Sequence, residues 1–149
     1  MRSMLIKIFG LTALFAGLGV LPAAGAAQPG ADGQHRVVIQ VNSGDAATQN
    51  LALNNAVNLQ KAYGQDHVAI EVVAYGPGLS LLTRQSPQAE RVQSLAMQDI
   101  AFSACGNTMK AVAKKTGKTP QLTEGVKVVP AGVGRIIELQ EQGYAYVKP

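Results

Sequence analysis

From residue 35 onward, short runs of β-branched and small apolar residues alternate with stretches of helical periodicity, and this alternation restricts the fold class more than any single motif. Residues 36–41 read as a strand by β-branched content. Residues 48–63 read as a helix whose core stripe is Leu53, Ala56, Val57, Leu59 and Tyr63, closed by Gly64 as a left-handed cap. Residues 67–75 form the second strand and are apolar almost without a break, as expected of a parallel strand covered on both faces. Gly76-Pro77-Gly78 ends it, and a turn through Leu79, Leu81 and Leu82 follows. Ser86-Pro87 then has the form of an N-cap with proline at the first helical position, and Ala89, Val92, Leu95 and Ala96 give that helix its apolar face. The third strand, residues 100–104, ends at Cys105, and Met109, Val112 and Ala113 mark the buried side of the next helix. Residues 126–129 are a fourth strand. The last helix carries Val133, Ile136, Ile137 and Leu139, and residues 144–147 form a short terminal strand.

The β-α-β-α-β-α-β-α-β order predicts an α/β fold: a mostly parallel five-stranded sheet with helices on both faces. Right-handed crossovers bring every strand's C-terminal end to one edge. Four loops then share that edge, at residues 42–45, 76–78, 105–108 and 130–132, and glycine recurs in all of them. In open α/β sheets this edge is where ligands bind.

Residues 1–27 are expected to be a secretory signal peptide. Arg2 and Lys7 precede an apolar stretch at 8–20, and the small residues up to Ala26 and Ala27 suit cleavage. The stretch is shorter than the roughly 20 residues a bilayer-spanning helix needs, so no stable membrane insertion is expected after cleavage. Residues 28–34 read as a flexible leader and 35–149 as a single domain, which places the protein in the periplasm or outside the cell. Losing Arg2 and Lys7 reduces the formal charge of +4 by two. The remaining lysines cluster at Lys110, Lys114, Lys115 and Lys118 without interleaved aromatics, so no nucleic-acid partner is expected.

Cys105 is the single cysteine, so no disulfide forms within the chain. Its place at a strand tip, followed by Gly106 and a helix, favours the thiolate, because unpaired N–H groups at a helix start carry partial positive charge. The expectation is an exposed sulfur where Gly106, Asn107 and Thr108 supply N–H groups to a bound anion. Gly76, Gly78 and Gly132 would wall the pocket, with Asn42 and Asp45 contributing from the first loop. Arg135, early in the last helix, is a candidate anion hook or thiolate stabiliser. Each reading has a structural rival: a packed thiol for Cys105, an Asx-type turn for Asn42 to Asp45, and a helix pair with Glu138 or Glu141 for Arg135. Asn54, Asn55 and Asn58 either line a polar helix face or contact another subunit.

What the chain lacks narrows the chemistry. Its two histidines, His35 and His67, fall at strand starts, about 16 Å from the Cys105 edge by strand rise, so no base stands beside the thiol for hydrolysis. No metal-ligand spacing is present, no second cysteine resolves a disulfide, and no cofactor is expected. A thiol without base or resolving partner suits carriage of a group, for instance a sulfur held as a persulfide.

Several segments together resemble the DsrE/DsrF-like family, in particular its exported members. They are Val38-Ile39-Gln40-Val41 with Ser43-Gly44-Asp45, Leu53-Asn54-Asn55-Ala56-Val57-Asn58, Glu71-Val72-Val73-Ala74-Tyr75-Gly76-Pro77-Gly78-Leu79, Phe102-Ser103-Ala104-Cys105-Gly106-Asn107-Thr108, and Val129-Pro130-Ala131-Gly132-Val133 through to Tyr144. The resemblance implies a three-layer α/β/α fold and assembly into trimers or hexamers. It also implies sulfur relay, with a donor and an acceptor protein as partners and with Cys105 at the persulfide-accepting position. The alternative function is a non-catalytic, oligomeric module that binds a small anion or a partner and keeps Cys105 for packing. A flavodoxin-like nucleotide binder ranks below both, because no phosphate loop is visible.

Overall fold

The computed structural model describes residues 33–149. The signal peptide and most of the leader expected above lie outside the described residues. Five strands, β1 (His35–Val41), β2 (Val68–Ala74), β3 (Ile100–Cys105), β4 (Val126–Val129) and β5 (Ala145–Val147), form one sheet in the order β4-β3-β2-β1-β5. Every pairing is parallel. Four helices connect them: α1 (Ala46–Tyr63), α2 (Ala89–Ala96), α3 (Gly106–Thr116) and α4 (Gly132–Glu141).

Strand order and handedness decide where the helices lie. The chain steps from β1 to β2 to β3 to β4 in one direction across the sheet, so right-handed crossovers put α1, α2 and α3 on the same face. The return from β4 to β5 runs the opposite way and carries α4 over the other face. The packing follows. Val37, Ile39 and Val41 of β1, Ile70, Val72 and Ala74 of β2 and Phe102 of β3 join Leu53, Leu82, Val92 and Leu95 in the larger core. The alternate residues Val38 and Val73 meet Ile136 and Leu139 of α4 in a second, small core. No helix among the described residues is long and apolar enough to cross a membrane.

Local chemistry shifts several expected boundaries. The first helix begins at Ala46 because Asp45 caps it, accepting the Thr48 N–H at 2.8 Å. The second begins at Ala89. Ser86 Oγ accepts the Gln88 N–H at 3.1 Å inside a preceding turn, so the Ser86-Pro87 pair initiates the turn rather than the helix. Tyr63, expected in the core, is 45% exposed and stacks on His35 with ring centroids 3.9 Å apart. Of the apolar residues on α4, Ile136 and Leu139 are turned inward, whereas Val133 and Ile137 are exposed. Asn54 on α1 accepts a hydrogen bond from Arg91 of α2 at 2.7 Å, so it ties two helices of this chain together.

Candidate functional site

Cys105 is the last residue of β3 and the N-cap of α3. The sulfur sits where three of the four loops converge. Thr108, one turn into α3, and the backbone N–H groups of Asn107 and Gly132 lie close enough to lower the thiol's pKa, although the sulfur accepts no capping hydrogen bond from α3. The Thr108 hydroxyl oxygen in turn accepts the Gly76 N–H at 2.9 Å, which polarises its O–H toward the sulfur. The Asn107 N–H also donates to Pro130 O at 3.2 Å, tying the start of α3 to the loop before α4. Burial pushes the Cys105 thiol up, but these donors outweigh it and hold the group below its ordinary value.

Gly132 shows why the site requires glycine. A Cβ there would lie 3.0 Å from Tyr75 Cβ and 3.2 Å from Cys105 Cβ, tighter than most such contacts, so glycine lets α4 begin close to Cys105 without displacing either side chain. Gly78 is equally constrained on the neighbouring loop, since a Cβ there would collide with the Val41 carbonyl. These close approaches also account for a departure from expectation: Cys105 is only 5% exposed.

The other sequence-derived residues divide. Gly76, Gly106, Asn107, Thr108 and Gly132 gather around or beside the thiol. Asn42 and Asp45 occupy the adjoining first loop, and the Asp45 carboxylate is committed to capping α1, where Thr48 holds its pKa below the usual carboxylate range. Arg135 is engaged by two carboxylates. Its Nε and Nη2 grip the two oxygens of Glu71 at 2.9 and 2.8 Å, and Nη1 reaches Glu138 at 3.2 Å. The helix pair with Glu138 was foreseen; the stronger one to Glu71 was not. His35 opens β1 and His67 immediately precedes β2, at the sheet edge opposite Cys105.

Glu71 and Ser103 are the residues that sequence reasoning missed. Glu71 lies mid-strand in β2 and is 6% exposed; the Ser103 hydroxyl donates to it at 2.6 Å. Burial raises its pKa, yet the hydrogen bonds from Arg135 and Ser103 prevail and keep the carboxyl below its ordinary value. The available signal was a lone carboxylate in an otherwise apolar strand. Among the described residues no group of three or more His, Cys, Asp or Glu is placed to hold a metal ion. Two surface cavities, of about 410 Å³ beside Leu79 and Pro120 and about 290 Å³ beside Gln49 and Ser86, are not lined by Cys105.

The DsrE/DsrF-like family profile matches residues 35–149. The chain belongs to the DsrE/DsrF-like family. Among solved structures it is similar to MTH1491 of Methanobacterium thermoautotrophicum, a protein of unknown function, at 37% identity and a TM-score of 0.70, over 78% of this chain and 100% of that one. It also resembles the ychN protein of E. coli, at 14% identity and a TM-score of 0.60 over the same shares, a likeness of fold alone. No curated protein matches the sequence. The five-stranded parallel sheet and two-sided helical layers are those of these DsrE-like neighbours, and the family points to a role of the sulfur-relay type.

Proposed function

We propose that this protein is an exported sulfur carrier in which Cys105 accepts a sulfur atom as a persulfide. The observation that supports this most is the place of Cys105 at the β3 tip and the start of α3, with the Thr108 hydroxyl and the Asn107 and Gly132 N–H groups beside it and its thiol held below the ordinary value. Such donors stabilise a thiolate before loading and a persulfide anion after it. In the loading step the Cys105 thiolate attacks the outer sulfur of a donor persulfide. A new S–S bond forms on Cys105, the donor's S–S bond breaks, and the donor leaves as a thiolate with that electron pair. Attack by an acceptor thiolate on the outer sulfur reverses the process and discharges the carrier.

Incubation with a persulfide donor followed by intact-mass measurement tests the reading. The expected result is a gain of one sulfur atom on the wild type, removed by reductant and absent from Cys105→Ala. An unchanged wild-type mass, or the same gain on Cys105→Ala, overturns it. The 5% exposure of Cys105 favours a second reading, a binding module with a packing cysteine. Full cellular function in Cys105→Ser would support that alternative.

Two further parts of the proposal have their own checks. Export predicts that the N-terminus of the protein recovered from the periplasm lies close to Gln28. Self-association as a trimer or hexamer is supported by Val133 and Ile137 on α4 and Tyr146 on β5, apolar or aromatic residues left exposed on one side of the sheet. Sedimentation of the purified protein tests it.

A further inference from the structure

We propose that the Glu71–Arg135 ion pair, braced by Ser103, is the positioning device that holds the first turn of α4 against Cys105. This rests on the carrier reading and assigns a role to residues that never touch the transferred sulfur. The reason lies in how little else anchors that turn. It runs Gly132-Val133-Gly134-Arg135; the two glycines have no side chain to pack, and Val133 is 52% exposed. Ala131, the N-cap, makes no side-chain capping bond. The apolar anchors of α4, Ile136 and Leu139, come after this turn. Arg135 is thus the side chain in the turn that binds the sheet.

Its grip is side-on and bidentate, with Nε and Nη2 at 2.9 and 2.8 Å from the two Glu71 oxygens. Such a fork fixes rotation as well as distance. Ser103 lies two residues before Cys105 on the same face of β3 and donates to Glu71 at 2.6 Å. One carboxylate therefore links the strand that carries the sulfur to the helix turn that presents the Gly132 N–H to it. A buried ion pair contributes little net stability compared with apolar packing of the same volume. Its use here is geometric.

The test is the pH profile of Cys105 alkylation, with circular dichroism confirming the fold of each variant. The charged groups on the elements around the sulfur are Glu71 on β2, Lys127 on β4, Lys110, Lys114 and Lys115 on α3, and Arg135, Glu138 and Glu141 on α4. Arg135→Lys keeps every one of these charges but loses the fork. Its alkylation midpoint is expected to rise by about one pH unit, about tenfold less thiolate at any pH below the midpoint. Ser103→Ala should move it the same way by less, and Glu138→Gln should leave it in place. If wild type itself titrates at the ordinary thiol value of about 8.5 and takes up no sulfur, the carrier reading fails. A low wild-type midpoint that neither Arg135→Lys nor Ser103→Ala moves leaves that reading standing and overturns the positioning role. A shift in Glu138→Gln equal to that in Arg135→Lys overturns it as well. Should Arg135→Lys not fold, Ser103→Ala decides.

Discussion

The two faces of the sheet are built on different principles. On one side three helices and the 3-10 turn Gly76–Leu82 cover the strands with a continuous hydrocarbon layer that includes Ile39, Leu53, Leu82, Val92 and Phe102. On the other a single ten-residue helix lies across the strands, and only Val38, Val73, Ile136 and Leu139 form its buried apolar core. That thinner side holds a buried carboxylate, a serine hydroxyl and the cysteine. The larger apolar core lies on the first face and the buried polar groups named above on the second. A polar network beneath one short helix is tolerated because the domain does not depend on that face for most of its buried area.

The largest effect that would sharpen this contrast is expected in the thick layer. Leu53→Ala, at a position fully closed to solvent, should lower unfolding free energy by about 3–5 kcal/mol in urea titration. Leu139→Ala, equally closed but in the thin layer, should cost about 2–3 kcal/mol, since a lightly covered site collapses more readily. A greater loss from Leu139→Ala than from Leu53→Ala would break the comparison.

Next comes the pH dependence of the thin face. The Glu71 carboxyl is held below its ordinary value of 4.5 in the folded protein. Its contribution is therefore complete above that value and is lost as pH falls through the depressed native one. Glu71→Gln should flatten this acid limb of the stability profile, read from urea midpoints below pH about 5. An acid limb identical to wild type would show that Glu71 carries no such linkage. The smallest effect belongs to Ile137→Ala. At 52% exposed, it should change monomer unfolding by at most about 0.5 kcal/mol. A substantial loss there, with dissociation on sedimentation, would place Ile137 in a subunit contact.

The thick face was the legible one. Its strands and helices follow from local periodicity, and the continuous apolar run of residues 67–75 announced a strand covered on both sides. The Cys105 tip was legible for the same reason, since a strand, a glycine and a helix are consecutive in the chain. The thin face was not. Glu71 and Arg135 are 64 residues apart, and nothing local says that a mid-strand carboxylate will meet an arginine near a helix start. Which of the four apolar residues on α4 would be buried was not legible either: Ile136 and Leu139 are, and Val133 and Ile137 are exposed. Tyr63 misled because the last turn of α1 overhangs the sheet and rests on His35 instead.

The return crossover from β4 to β5 has a consequence for which part of the chain completes the site. β5 docks beside β1, with the Tyr146 hydroxyl donating to Gln40 across 106 residues of sequence. The segment after Pro130 contributes α4, the Gly132 N–H, the Arg135 grip and β5, whereas β1 to β4 and most of the larger core precede it. On the carrier reading, the groups that prime Cys105 are therefore supplied by a part of the chain that contributes little to the main core.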